Sequence, residues 1–114
     1  MEDEGRDPAA GALNEVAEAA ETTAKEQEQV AANSRQLSRE LEHGASWREI
    51  SDDGKPQTIL GLIGASAGRL AAVGSSFRRA VAVALAMEGL TLRQIGKQLG
   101  VSHQRISNLL QRRK

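Results

Sequence analysis

The sequence predicts an all-α protein: a long, acidic N-terminal helix followed by a C-terminal bundle of shorter helices. Aromatic residues make up only 2% of the chain (Trp47, Phe77 and no tyrosine), whereas sheets draw on aromatic and β-branched side chains. Eighteen alanines and twelve leucines supply strong helix formers instead. Glycines and capping residues then divide the chain into helix-sized pieces. At 114 residues and 12.2 kDa there is room for one modest core plus an appendage.

Residues 1–8 hold charges, Gly5 and Pro8 without an apolar pattern, and are expected to be disordered. From about residue 9 to residue 43 the composition is helical, and inner positions step by three and four: Leu13, Val16, Ala20, Thr23, Gln27, Val30, Ser34, Leu37 and Leu41. That seam is thin, and suits packing along a helical domain or against a second copy equally well. Gly44 ends the helix. Ser46 and Glu49 have the spacing of a capping box for a short helical turn, and Asp52 to Pro56 reads as a loop. Trp47, the only large anchor in this half, is expected to be buried and to fasten the arm to the rest.

A second helix is expected from residue 56 or 57 to about residue 72, since proline is tolerated in a first turn and Ile59, Leu60, Leu62, Ile63 and Leu70 supply an apolar face. Gly61, Gly64 and Gly68 weaken it, and suggest either close helix packing or fraying. They do not make a nucleotide loop, because no strand precedes them and neither glycine-rich phosphate motif is present. Gly74 is expected to break the chain, Ser75 or Ser76 to cap a third helix running to about residue 88, and Gly89 to close it. The weakly polar stretch 59–86 is interrupted by Arg69, Arg78 and Arg79, so no membrane span is expected. The acidic start is unlike a secretory signal and there is no cysteine, which together suit the reducing cytoplasm.

The zero net charge hides a division. Residues 1–57 hold fourteen acids and six bases, net −8; residues 58–114 hold one acid, Glu88, and nine bases, net +8. The chain therefore divides into a tail at 1–8, an acidic helical arm at 9–57 for dimerisation or partner contact, and a basic helical domain at 58–114.

The basic half contains the most specific pattern. Thr91 with Gln94 forms a capping box, Ile95, Leu99, Val101, Ile106 and Leu109 fall where two crossed helices bury side chains, and Ser102 is placed to cap the second helix. Gly96 sits at the closest approach, and Gly100 where the turn needs a positive φ. These residues resemble the helix-turn-helix of bacterial transcription factors, closest to region 4 of sigma factors. The resemblance spans about residues 75–112, with the motif itself at 91–112.

The resemblance implies double-stranded DNA as partner, with the second helix in the major groove. Ser102, His103, Gln104, Arg105, Ser107 and Asn108 would then meet base edges. Gln104 and Asn108, four apart, have the amide chemistry for adenine, and Arg105 for guanine or a phosphate. Thr91, Arg93, Lys97, Arg112, Arg113 and Lys114 are the expected phosphate contacts. Arg78 and Arg79, read as opening the third helix, would oppose its dipole and want an anionic partner. His103 reads as an ordinary polar contact in preference to a pH switch, and His43 carries no function.

The leading expectation is a sequence-specific transcriptional regulator binding as a homodimer. The alternative from another class is an adaptor on RNA polymerase or another regulator, acting through the acidic arm. A third reading folds the −8 half over the +8 half in competition with DNA. Neither an enzyme, a metal site nor a cofactor is expected: two distant histidines, no cysteine and acid pairs in loops or tail give no catalytic or ligand set. Finally, residues 42–50 parallel residues 87–95: helix end, glycine, cap, then arginine, acid or amide, and isoleucine.

Overall fold

A computed structural model describes residues 8–111, and all of its regular elements are helices: α1 (Pro8–Glu42), α2 (Trp47–Asp52), α3 (Lys55–Met87), α4 (Leu92–Leu99) and α5 (His103–Gln111). The all-α architecture, with its long N-terminal helix, is as expected. Of the stretch 1–8 expected to be disordered, residues 1–7 lie outside the described residues, as do Arg112, Arg113 and Lys114, while Pro8 instead opens α1. The chain divides into two compact units. One is Glu18–Ala71; the other runs from Ala72 onward and includes the chain up to Ala17. Residues 58–71 fall in the first of these units.

In the first unit α1 and α3 run antiparallel, since Glu40 pairs with Lys55 near one end (Nζ to Oε2 3.0 Å) and Glu26 with Arg69 further along. The inner face of α1 buries Ala19, Thr23 and Leu37 and half-buries Glu26, Val30, Asn33 and Glu40. The expected seam shares Thr23, Val30 and Leu37 with this face. Its alternate positions are each one residue too late: Ala20, Gln27 and Ser34 are exposed, and only Leu41 is half-buried. Adjacent small residues explain the slip, because Ala19 and Ala20 offer hydrophobicity no contrast on which to choose a face.

A polar knot crosses the hairpin. Arg69 grips the Glu26 carboxylate with both terminal nitrogens (2.6 and 2.9 Å) and also donates to Thr23 Oγ1 (3.3 Å), while Ser66 Oγ donates to Glu26 Oε1 (2.6 Å). The charged hydrogen bond from Arg69, reinforced by Ser66, lowers the Glu26 carboxyl to about 2 from an ordinary 4.5. A group depressed in this way stabilises the fold fully above its unfolded value and loses that contribution as pH falls through its folded value. The hairpin is therefore expected to lose thermal stability as pH falls from 4.5 towards 2, a loss that Glu26→Gln should flatten. Melting curves by circular dichroism across that window check it.

Both helix ends named in the sequence parallel have the same geometry. After α1, Gly44 N–H donates to Leu41 O (3.1 Å) and Ala45 N–H to Glu40 O (2.9 Å); after α3, Gly89 N–H donates to Ala86 O (3.0 Å) and Leu90 N–H to Leu85 O (3.1 Å). Both glycines have positive φ, +102° and +98°, as this helix stop requires. Each is followed by a complete capping box, Ser46 with Glu49 and Thr91 with Gln94, and then by a buried isoleucine, Ile50 or Ile95. His43, on the first of these turns, caps the carbonyl of Arg39 through Nδ1 (2.7 Å).

Four expectations are corrected here. Trp47 is 63% exposed: the Ser46 cap makes it the first residue of α2, and Ile50, one turn on, takes the buried position. Gly74 does not break the chain, because α3 continues through it to Met87; a helical glycine costs about 1 kcal/mol, which flanking helix absorbs. Arg78 and Arg79 consequently lie inside α3, away from its N-terminus, so the supposed dipole conflict disappears. Gly61, Gly64 and Gly68 make no close packing within the chain, since a Cβ on any of them would meet nothing within 4 Å.

The unbroken α3 is also long and apolar enough to cross a membrane by length and composition, with mean hydropathy 1.4 over an 18-residue window. One such helix is weak evidence of a span, since the buried core helix of a soluble protein passes the same test. Within the chain α3 places Arg69 in an ion pair with Glu26 and closes the C-terminal core with Ala82, Leu85 and Ala86.

Candidate nucleic-acid interface

The C-terminal unit is built on one apolar cluster. Ala82 of α3, Ile95 of α4, and Ile106 and Leu109 of α5 are buried together, with Leu85, Ala86, Leu90, Leu99, Val101 and Leu110 packed around them. All five apolar positions of the sequence motif join this cluster. Ala82, Leu85 and Ala86 of α3 form the third wall, with Leu90 and Leu110 packed beside them; none belongs to the motif's apolar set, and a 3.6-residue apolar step through 82, 85 and 86 was the available signal.

Local chemistry sets the angle between α4 and α5. Thr91 Oγ1 accepts from Gln94 N–H (3.2 Å) and the Gln94 side chain accepts from Thr91 N–H (2.8 Å), which fixes where α4 starts. Gly100 ends it at φ +75°, a conformation that disfavours a side chain. Gly96 is buried, and a Cβ there would lie 2.6 Å from the Val101 carbonyl oxygen and 3.4 Å from His103 N. Only hydrogen on that Cα lets the turn pass so close to α4. Ser102 Oγ then accepts from Arg105 N–H (3.1 Å), capping α5.

Burial of Ile106, Leu109 and Leu110 decides what α5 presents outside. Gln104 and Asn108 stand exposed one turn apart on the opposite face, with Arg105 exposed beside them and His103 exposed in the first turn; Ser107 is half-buried. Arg93 and Lys97, also one turn apart, are exposed on α4. Of the residues expected at the interface, Thr91 and Ser102 are engaged as caps through one lone pair of their hydroxyl oxygens, leaving the hydroxyl hydrogen and a second lone pair for contacts outward. From residue 72 to residue 111 the only acid is Glu88, against Arg78, Arg79, Arg93, Lys97 and Arg105, so this segment carries an excess of positive charge.

Three helices around one core, a glycine-dependent tight turn and a polar, basic outer face on the last helix define a helix-turn-helix DNA-binding domain. Residues 75–114, about a third of the chain, match a family model described as a homeodomain-like domain. No curated protein and no solved structure matches the chain.

Proposed function

We propose that the chain is a sequence-specific transcriptional regulator that binds duplex DNA as a dimer, with α5 in the major groove. The observation that carries this reading is the capped, glycine-tight turn, which holds α5 with Gln104, Arg105 and Asn108 turned away from the core. In this reading Ser102, His103, Gln104, Arg105, Ser107 and Asn108 face the bases, while Thr91, Arg93, Lys97, Arg112, Arg113 and Lys114 hold phosphates. The resemblance to region 4 of bacterial sigma factors rests on the same motif residues. The acidic arm, 9–57, supplies the self-association that a single short recognition helix needs, since two copies read half-sites about one helical turn apart.

The test is binding of the purified chain to random-sequence and genomic duplexes across a salt series. Affinity is expected to fall steeply as salt rises, because each neutralised phosphate releases counterions. A chain that bound no duplex even at low salt would defeat the proposal.

A further inference from the structure

The unit Glu18–Ala71 buries few large side chains: Leu37 and Ile50 are its large apolar residues below one-tenth exposure, while Ala19, Thr23 and Ser66 fill the rest. A unit this small is marginal on such a core. It nevertheless leaves large apolar side chains in water, with Trp47 63%, Leu60 66%, Ile63 44% and Leu70 45% exposed.

These side chains are not scattered. With the inner face of α1 set by Thr23, Val30 and Leu37, the adjoining flank holds Ala20, Gln27, Ser34 and Leu41, then Ala24, Ala31 and Ser38 beyond them. With the inner face of α3 set by Ile59, Ser66 and Arg69, one flank holds Leu60, Ile63, Ala67 and Leu70. The two flanks lie on the same side of the hairpin, because Ser34, Ser38 and Leu41 line one groove together with Trp47, Pro56 and Leu60. No charged residue occurs in either row. A separate groove of the hairpin has charged and amide side chains in its lining, with Asn33, Gln36, Asp53, Lys55 and Thr58 around Leu37.

We propose that this uncharged flank of the α1/α3 hairpin is the self-association surface, and that it docks on a second copy of the chain about a two-fold axis to form a four-helix bundle. The inference deepens the dimeric reading above and rests on it. Its area suffices: α1 within the unit is about 37 Å long, and a helix pair about 20 Å across gives roughly 700 Å², close to the ~800 Å² per partner of a standard interface. Its charge pattern favours self-association, because a neutral surface turned onto itself by a two-fold brings no like charges together. Seven-residue spacing of the rows, 20-27-34-41 and 60-67 beside 63-70, is the spacing helices use to pack on helices. Lipid is a poorer occupant, since Gln27, Ser34 and Ser38 would lie against hydrocarbon without partners.

The experiment uses the full chain. Sedimentation equilibrium at micromolar concentration is expected to give a dimer, and Leu60→Glu or Ile63→Glu to raise its dissociation constant at least ~30-fold, the size of a hot-spot loss. Thr58→Glu, on the separate groove, should leave it unchanged. All three positions are exposed, so helicity by circular dichroism should match wild type. The chain has no cysteine, so single cysteines report the face directly: Ser34→Cys and Ala67→Cys should cross-link between copies through a short bismaleimide, and Gln36→Cys should not. A monomer, a dimer indifferent to Leu60→Glu, cross-linking through Gln36→Cys alone, or flotation with phosphatidylcholine vesicles would each overturn the proposal. The two readings fail separately. A monomer that still binds duplex removes this interface and spares DNA binding; a dimer of the expected face that binds none does the reverse.

Discussion

Replacing Gly96 with alanine is expected to destabilise the C-terminal unit by about 2 kcal/mol and to abolish DNA binding at temperatures where the chain is still folded. The added methyl would sit 2.6 Å from the Val101 carbonyl oxygen, which is backbone and cannot swing aside as a side chain can. Overpacking of this kind costs about 3 kcal/mol at the upper end of its usual range, and alanine recovers about 1 kcal/mol of helix propensity over glycine. A net change of that size lowers Tm by roughly 10 °C in a domain of this class. Relief comes from moving residues 101–103, which carry the start of α5, so the recognition helix shifts even when the domain survives. Two other glycines calibrate the effect. Gly100→Ala meets open space but must hold φ +75°, at a cost of about 1 kcal/mol. Gly61→Ala, in α3 with nothing within 4 Å, should instead raise stability by up to about 1 kcal/mol. Thermal melts of the three variants should rank in that order, and a Gly96→Ala protein as stable as wild type would refute the tight turn.

That ranking rests on features that were legible in the sequence because they are decided locally. Four residues suffice for a capping box, so Thr91 with Gln94 and Ser46 with Glu49 were placed without knowing the fold. Gly100 announced its positive φ by standing between an apolar helix and a serine cap. What failed depends on competition between distant parts. Whether α1 turns Ala19 or Ala20 inward is settled by what α3 offers opposite, and the Glu26–Arg69–Ser66 knot draws a glutamate to the inner face where a pattern search looks for an apolar residue. Trp47 failed for a related reason. Size predicts burial when a core exists to receive it, but the hairpin's own core is filled by Leu37 and Ile50. Gly74 failed because a helix held at both ends, by the hairpin before it and the Ala82 core after it, tolerates a poor residue between.

The chemistry of the interface separates two pairs of side chains, and their double variants are expected to fail in different ways. Gln104→Ala with Asn108→Ala removes the two amides exposed one turn apart on α5, groups whose paired donor and acceptor match adenine. Each is expected to cost about 1–3 kcal/mol at the preferred site and little on random duplex, so the preference collapses while the salt dependence stays. Arg93→Ala with Lys97→Ala removes two exposed cations from α4 and leaves the side chains of α5 unchanged. Affinity for every duplex should then fall together, and the slope of log affinity against log salt should become shallower by about 2, one released counterion for each lost phosphate contact. Neither pair is buried, so both variants should melt like wild type. Anisotropy titrations on one selected and one random duplex at several salt concentrations give both quantities. Uniform loss from the amide pair would move base reading off these two amides and onto Arg105 or the arm, whereas an unchanged salt slope in the cation pair would place the phosphates elsewhere on the basic unit.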